Sequence, residues 1–162
     1  METTFSMEAN IVNPFIESVV NTMRTMCNID PSRTSLELRK KDQSYSGDIS
    51  GVIGIIGEIS GTVAITYTDK LALAVVSELT GEPQDTVGEL LEDGIGEMIN
   101  IIAGNGKNIL ASSGYDVAIS LPSVVVGKGH TINTPLNMPS IIVGFDTPVA
   151  PFWLEICLKR DQ

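Results

Sequence analysis

Apolar residues recur at helical spacing near the start of the chain. Over residues 13–27 they lie four, four and three residues apart, with polar residues on the other side, which predicts an amphipathic helix that covers a sheet. Asn13 and Pro14 are typical of a helix start, because proline is tolerated in the first turn. We therefore expect a lead-in over residues 1–12, followed by a first helix that ends near Cys27. The apolar positions are Phe15, Val19, Met23 and Met26.

Two further helices are predicted in the middle of the chain. Residues 70–79 have apolar positions at helical spacing, Asp69 can cap the start of this segment, and Gly81 can end it. A longer helical pattern covers about residues 86–111 and should close at Gly114.

Short runs rich in Val, Ile and Leu predict seven strands. The first alternates leucine with charged or polar residues, so we expect one buried side and one charged side. The second and third should form an antiparallel hairpin. The predicted strands cover residues 34–40, 51–57, 61–67, 116–121, 123–127, 141–146 and 152–159.

The order of these elements, α-βββ-αα-βββ(β), predicts an α+β fold. We expect an antiparallel or mixed β-sheet with about three helices packed on it. The chain has 162 residues, 43% of them hydrophobic, which suits a single domain over residues 13–162 with a core of its own.

Charge and cysteine content narrow the functional classes. Twenty acidic residues against ten basic ones give a net charge of -10, so a partner with a basic patch is expected and a nucleic acid is not. Cys27 and Cys157 have no neighbouring histidine, which predicts reduced core thiols and no metal site. Neither a secretion signal nor an apolar run of membrane-spanning length is evident. We therefore expect a cytoplasmic protein with no membrane contact.

The long third helix has two opposed faces. Its apolar face should pack onto the sheet. A second stripe on the other side has spacings of four, three, four and three residues and should face solvent; we call it the exposed stripe. The apolar face comprises Leu91, Ile95, Met98, Ile102 and Ile109, and the exposed stripe comprises Asp93, Glu97, Asn100, Gly104 and Lys107.

On periodicity alone, the exposed stripe is more often the solvated side of an amphipathic helix than a functional site. Asparagine is a poor helix former, however, and each of four glycines in this helix costs about 1 kcal/mol relative to alanine. Gly104 lies on the stripe, where a missing side chain would let another protein's backbone come close. The alternative is a kink or an early helix end at residues 104–106. The four glycines are Gly94, Gly96, Gly104 and Gly106.

The stripe contains a motif, Asp93-x3-Glu97-x2-Asn100, followed by Ile-Ile-Ala-Gly-Asn at residues 101–105. It resembles the signature of the CheX/CheC chemotaxis phosphatases, and the resemblance covers nearly the whole chain. One clean motif is more similar to CheX, since CheC proteins carry two. The family pattern places a proline one residue later than Pro122. The resemblance implies a CheC-like fold and a hydrolase that removes the aspartyl phosphate of a CheY-like response regulator.

The resemblance also implies roles for individual residues. Asn100 would orient the attacking water, and Glu97 would pair with a basic residue of the regulator. The three other stripe residues, Asp93, Gly104 and Lys107, would contact the partner, although Asp93 is equally explained as a solvated helix acid. The chain would bind no cofactor of its own, because Mg²⁺ is supplied on the phosphorylated regulator. A homodimer is a further expectation.

Several alternatives stay open. The fold also resembles flagellar switch proteins, so a non-catalytic regulator-binding or switch-like module is the second hypothesis. Glu97 could act as a general base, although an exposed carboxylate is a weak one. Glu17 with Asn21 loosely echoes the motif and could be a degenerate second site.

His130, in a glycine-containing loop, is interpreted as part of a turn and Trp153 as core or interface. The target regulator and its pathway are not indicated.

Overall fold

A seven-stranded antiparallel sheet with three helices packed on it makes up the described part of the chain, residues 9–40, 45–133 and 138–160 of a computed structural model. This element order confirms the predicted α+β fold. The helices are α1 (Ala9–Cys27), α2 (Asp69–Thr80) and α3 (Glu89–Ser112). The strands are β1 (Ser32–Leu38), β2 (Gly47–Gly57), β3 (Ile59–Tyr67), β4 (Val117–Ile119), β5 (Ser123–His130), β6 (Ile141–Asp146) and β7 (Phe152–Arg160).

The long strand β2 pairs with three other strands of the sheet, β3, β4 and β5. The strands follow the order β1-β6-β7-β3-β2-β4, and β5 also pairs with β2. β2 and β3 form the predicted antiparallel hairpin. The eleven residues of β2 are long enough for β4 to pair with its end, at Ile55 to Gly57, while β5 pairs with its first half. α2 and α3 pack on one face of this sheet, and α1 packs against both.

The first helix begins earlier than predicted. It starts at Ala9, so the expectation of a lead-in is wrong for residues 9–12, and residues 1–8 lie outside the described part. Ile11 and Val12 are buried and continue the apolar face of Phe15. Burying two such side chains contributes about 1.5–3 kcal/mol each, which offsets the backbone hydrogen bond that Pro14 cannot make inside the helix.

The first strand does not have the predicted buried side. All seven residues of β1 are exposed, because this strand lies at the sheet edge and its principal contacts are with β6. Leu36 and Leu38 are consequently 46% and 52% exposed. Alternation along a strand predicts burial only where a second layer covers that strand.

The start of α2 is capped by a different residue from the one predicted. The Thr68 side chain accepts a hydrogen bond from the backbone N–H of Leu71, which makes Thr68 the cap and Asp69 the first helical residue. Gly81 ends the helix in the left-handed conformation, at φ 74°, as predicted.

A buried carboxylate organises the sheet face that the helices do not cover. Leu154 and Ile156 belong to the core, so Glu155 between them points to the opposite face, where it is 2% exposed. Its carboxylate accepts hydrogen bonds from Arg39 at 3.0 Å, from Tyr45 at 2.7 Å and from Ser140. Burial, followed by the adjacent Glu155 charge, raises the pKa of Tyr45, so the phenol stays protonated and can donate.

The cysteines agree with the sequence interpretation, whereas Trp153 is only half-buried and does not belong to the core, and its place at an interface stays a prediction. Trp153 stacks on Tyr45, with ring centroids 5.8 Å apart. Cys27 and Cys157 are buried free thiols, as predicted. Burial raises the pKa of the Cys27 thiol to about 11. None of the helices in the described residues is long and apolar enough to cross a membrane.

We expect Tyr45→Phe to lower the free energy of unfolding by about 1.5–3 kcal/mol, because it removes one hydrogen bond to a charged group that has no access to water. Urea unfolding followed by circular dichroism measures this loss. Tyr115→Phe is the matched control, since that hydroxyl accepts hydrogen bonds from Asn10 and from Arg160 at an exposed position where water can replace it, and its loss should cost less than about 1 kcal/mol. Equal losses in the two variants would contradict the proposed importance of the Glu155 cluster.

Candidate functional site

The five residues of the exposed stripe lie along one side of α3. The helix continues without a break through residues 104–106 to Ser112, which excludes the alternative of an early helix end. Asp93 and Glu97 are exposed, whereas Asn100, Gly104 and Lys107 are partly exposed. The structure therefore brings the predicted site residues together on one surface.

The buried side of α3 is wider than predicted. Four of the five predicted apolar positions are fully buried, but Ile109 is only half-buried, so its placement on the core face was wrong. Ile99, Ala103 and Leu110 are buried in addition. The reason is that α3 contacts α1 and α2 as well as β2, so neighbours cover more than one side of it. The exposed stripe belongs to the side of α3 that these neighbours leave uncovered, together with Asn105 and Asn108.

Two of the four glycines in α3 are explained by neighbours within the chain. A Cβ on Gly94 would lie 2.6 Å from Val76 of α2, and one on Gly106 would lie 2.6 Å from the ring of Phe15 in α1. These two glycines let α2 and α1 come close to the helix. A Cβ on Gly96 would meet Val124 of β5 at 3.5 Å, an ordinary van der Waals distance, so packing does not require a glycine there.

Gly104 differs from the other three glycines. A Cβ at this position would have no atom within 4 Å among the described residues. Packing within the chain therefore gives no reason for the glycine, although a glycine inside a helix costs about 1 kcal/mol relative to alanine. Its place on the exposed stripe fits the interpretation that a side chain at this position would keep a partner's backbone away from the helix.

Glu97 and Asn100 lie on successive turns of α3, three residues apart, which corresponds to a rise of about 4.5 Å along the helix axis. Among the described residues, Asp93, Glu97 and Asn100 make no ion pair or side-chain hydrogen bond. Their polar groups are therefore available to a partner.

The first part of α3 is strongly acidic. Four carboxylates fall within its first nine residues, and Lys107, in the second half, is its one basic residue. The carboxylates belong to Glu89, Glu92, Asp93 and Glu97. The favourable field of the helix N-terminus helps to accommodate those in the first turn. This surface is complementary to a partner with a basic group.

The connection between β4 and β5, residues 120–122, borders the stripe; we call it the β4–β5 loop. A Cβ on Gly96, the residue before Glu97, would lie 3.8 Å from Pro122. Ser120 fixes the loop to β2, because its Oγ accepts a hydrogen bond from the Gly54 N–H at 2.8 Å and its own N–H donates to the Gly54 carbonyl at 2.9 Å. Sequence reasoning singled out Pro122 only through the family pattern and did not place it beside the motif.

His130 lies away from this surface. It ends β5 rather than occupying a loop, with Nε2 2.7 Å from the Ser50 hydroxyl and Nδ1 2.7 Å from the Gly127 carbonyl. A serine next to a histidine can form a nucleophile and base, but Ser50 has 0% exposure. Substrate cannot reach that hydroxyl, so the pair is structural.

Two other candidate features lie elsewhere. Glu17 and Asn21 are exposed on α1, a different helix from the one that carries Glu97 and Asn100. The described residues include no group of three or more His, Cys, Asp or Glu side chains that could hold a metal ion.

Comparison with known proteins supports the motif-based interpretation. The family model of the chemotaxis phosphatase CheX matches residues 49–146. The CheY-P phosphatase CheX of Thermotoga maritima is 35% identical over 75 residues, which make up 46% of this chain and 48% of that protein. The match thus spans about half the length of that curated relative.

Two solved structures are similar over nearly the full length of the chain. The chemotaxis protein CheX of Vibrio vulnificus is 36% identical, with a TM-score of 0.86 over 93% of this chain and 100% of that one. In the CheX-CheY-BeF3-Mg²⁺ complex of Borrelia burgdorferi, the similar chain is 22% identical, with a TM-score of 0.79 over 94% of this chain and 100% of that one. At this lower identity the likeness concerns the fold.

We expect alanine to have opposite effects at Gly104 and Gly106. Gly104→Ala should raise the free energy of unfolding by up to about 1 kcal/mol, because it improves helix propensity and meets open space. Gly106→Ala should lower it, because overpacking against Phe15 costs about 1–3 kcal/mol. Urea unfolding of both variants measures the difference. Destabilisation by Gly104→Ala would mean that an internal packing role, and not a partner, accounts for this glycine.

Proposed function

This chain belongs to the CheX family of chemotaxis phosphatases, and we propose that it hydrolyses the aspartyl phosphate of a CheY-like response regulator. The observation that carries the proposal is the Glu97–Asn100 pair, intact and accessible on α3, with neither side chain bonded to another described residue. Such a regulator works in the cytoplasm, where we place this protein too. Its assembly as a homodimer stays a prediction.

The regulator itself supplies most of the charge stabilisation. An aspartyl phosphate is bound next to a divalent ion and a lysine of the receiver domain, and these neutralise charge on the transferring phosphoryl group. In this proposal Mg²⁺ is held by the regulator and this chain needs no metal of its own. What the phosphatase must add is a water molecule held in line with the bond that breaks.

Asn100 is suited to hold that water. Its carboxamide can accept one hydrogen bond and donate another, so it fixes both the position and the orientation of the water. Because Asn100 is on a helix packed against α1, α2 and several strands, its backbone is held rigidly. Positioning of this kind needs a rigid support more than it needs a shifted pKa.

Glu97 is suited to fix the register of the two proteins. Its carboxylate is exposed on the turn next to Asn100 and can pair with a basic residue at the mouth of the receiver's active site. Asp93 and Lys107 then make contacts at either end of the stripe. Gly104 leaves the surface open, so the receiver's backbone can approach α3 closely.

The Borrelia burgdorferi complex lends support to this choice of partner. A protein of this fold binds CheY together with BeF3 and Mg²⁺ in that complex. A non-catalytic regulator-binding or switch-like module would use the same surface, but it would have no need of the carboxamide at Asn100. The intact pair therefore favours hydrolysis.

We expect Asn100→Ala to lower the turnover rate about 100-fold, the scale of loss when a reacting group is misplaced, with little change in affinity. The assay follows the decay of a phosphorylated CheY-type receiver with Mg²⁺, alone and with each variant. Asn21→Ala on α1 is the matched control and should behave as wild type. Binding of the receiver without any acceleration by the wild-type protein would favour the non-catalytic module.

Glu97→Lys should instead weaken binding tenfold or more, because it places like charges together at the interface. Titration of the receiver, activated with BeF3⁻ as a phosphoryl mimic, measures the dissociation constant. Glu17→Lys makes the same change in net charge at an exposed site on α1 and should leave binding within about twofold of wild type. Equal weakening by both variants would show a general charge effect rather than a specific contact.

A further inference from the structure

Two leucines beside the Glu97–Asn100 pair are unusually exposed. Leu121 is 89% exposed and Leu90 is 69% exposed, the highest values among the large hydrophobic residues of the described part of the chain. Single exposed leucines are common. These two matter because of where they lie.

Leu90 lies on the same side of α3 as Glu97. The two residues are seven positions apart, which at 100° per residue leaves an angular offset of only about 20° and an axial rise of about 10 Å. Leu90 therefore continues the exposed stripe two turns before Glu97.

Leu121 belongs to the β4–β5 loop, which comes close to α3 through its next residue. The next residue, Pro122, approaches Gly96 of α3 closely, and Gly96 precedes Glu97. The polar pair is thus bordered by one exposed leucine along the helix axis and another across the adjacent loop.

The loop holds Leu121 in a fixed position. Ser120 exchanges two hydrogen bonds with Gly54 of β2, and its hydroxyl donates to the Leu121 carbonyl at 3.0 Å. Pro122 further restricts the backbone, since its ring fixes φ. A side chain on a backbone that is already ordered loses less conformational entropy when it binds.

We propose that Leu90 and Leu121 are apolar anchors of the surface that docks the receiver domain. This inference rests on the proposed function. Apolar contacts around a polar centre exclude water and often dominate the binding energy of an interface. Here they would flank the Glu97 charge pair and add apolar contact area to it.

The charge of the surrounding surface favours a receiver over a second copy of this chain. Glu89, Glu92, Asp93 and Glu97 lie between or beside the anchors, and two copies docked through this surface would bring these acids together. A receiver domain presents a lysine at its phosphorylated site, which complements them. The anchors and the acids thus suit one partner.

The test uses Leu90→Ser, Leu121→Ser and the double variant in the full chain. Titration with a BeF3⁻-activated receiver and Mg²⁺ should show each single substitution raising the dissociation constant about tenfold or more, as expected for a hot-spot residue. Dephosphorylation should show a raised KM with kcat at saturation close to wild type, because neither leucine touches the reacting atoms. Unfolding midpoints should stay unchanged, since both side chains are mostly in water.

Leu38→Ser is the matched control. Leu38 is 52% exposed on β1, at the opposite edge of the sheet from β4, and its substitution should leave binding unaltered. Wild-type affinity in both anchor variants, or an equal loss in Leu38→Ser, would overturn the inference. If the wild-type protein hydrolyses the phosphoreceiver and needs Asn100 while the anchor variants bind normally, only the inference fails. If the wild-type protein accelerates the decay of no phosphorylated receiver, the proposed function fails as well.

Discussion

The close packing of α3 on its neighbours is the constraint on which the site depends. Where α3 crosses β2, a Cβ on Gly51 would lie 3.2 Å from the backbone carbonyl of Ile95 and from the side chain of Ile99. Gly94 and Gly106 allow comparable approaches by α2 and α1. Because folded cores are close-packed, such contacts leave the helix little freedom to rotate or slide. The direction in which the exposed stripe points is therefore set by interactions on the buried side.

This rigidity suits the chemistry that we propose. A phosphatase that relies on a charge-stabilised phosphoryl group in its partner has to contribute position and not a reactive group of its own. Positions on a helix that packs against two other helices and the sheet are better fixed than positions on a loop. The β4–β5 loop is also well fixed, although it is a loop, because the hydrogen bonds between Ser120 and Gly54 hold it to the sheet.

The two faces of the sheet have different roles. The helix-covered face supports α3 and, through it, the site. The other face carries Glu155 in a cluster with Arg39, Tyr45 and Ser140, where each hydrogen bond offsets part of the cost of burying a charge. Ser50 and His130 lie on the paired strands β2 and β5 and bond to each other. The buried polar side chains, such as Glu155 and Ser50, thus stabilise the fold. The accessible pair, Glu97 and Asn100, belongs to the proposed site.

Local sequence patterns determined the element order and the location of the motif. Helical periodicity placed the long helix and predicted that its polar positions fall on one side. Several interpretations failed where local pattern and tertiary context disagree. The first helix starts earlier because Ile11 and Val12 enter the core. The predicted buried side of β1 is exposed because no second layer of the described residues covers that edge. Ile109 is only half-buried because packing around α3 is not centred on the predicted arc.

Helix geometry depends on residues a few positions apart, so the order of amino acids was enough to predict which residues share a helix face. The packing of the elements settled which of those faces stays open, why Gly104 differs from Gly94 and Gly106, and that the β4–β5 loop lies beside α3. Those facts depend on contacts between residues far apart in the chain, such as Gly106 with Phe15 and Gly96 with Pro122. No local periodicity encodes such contacts, because they exist only once the elements have packed.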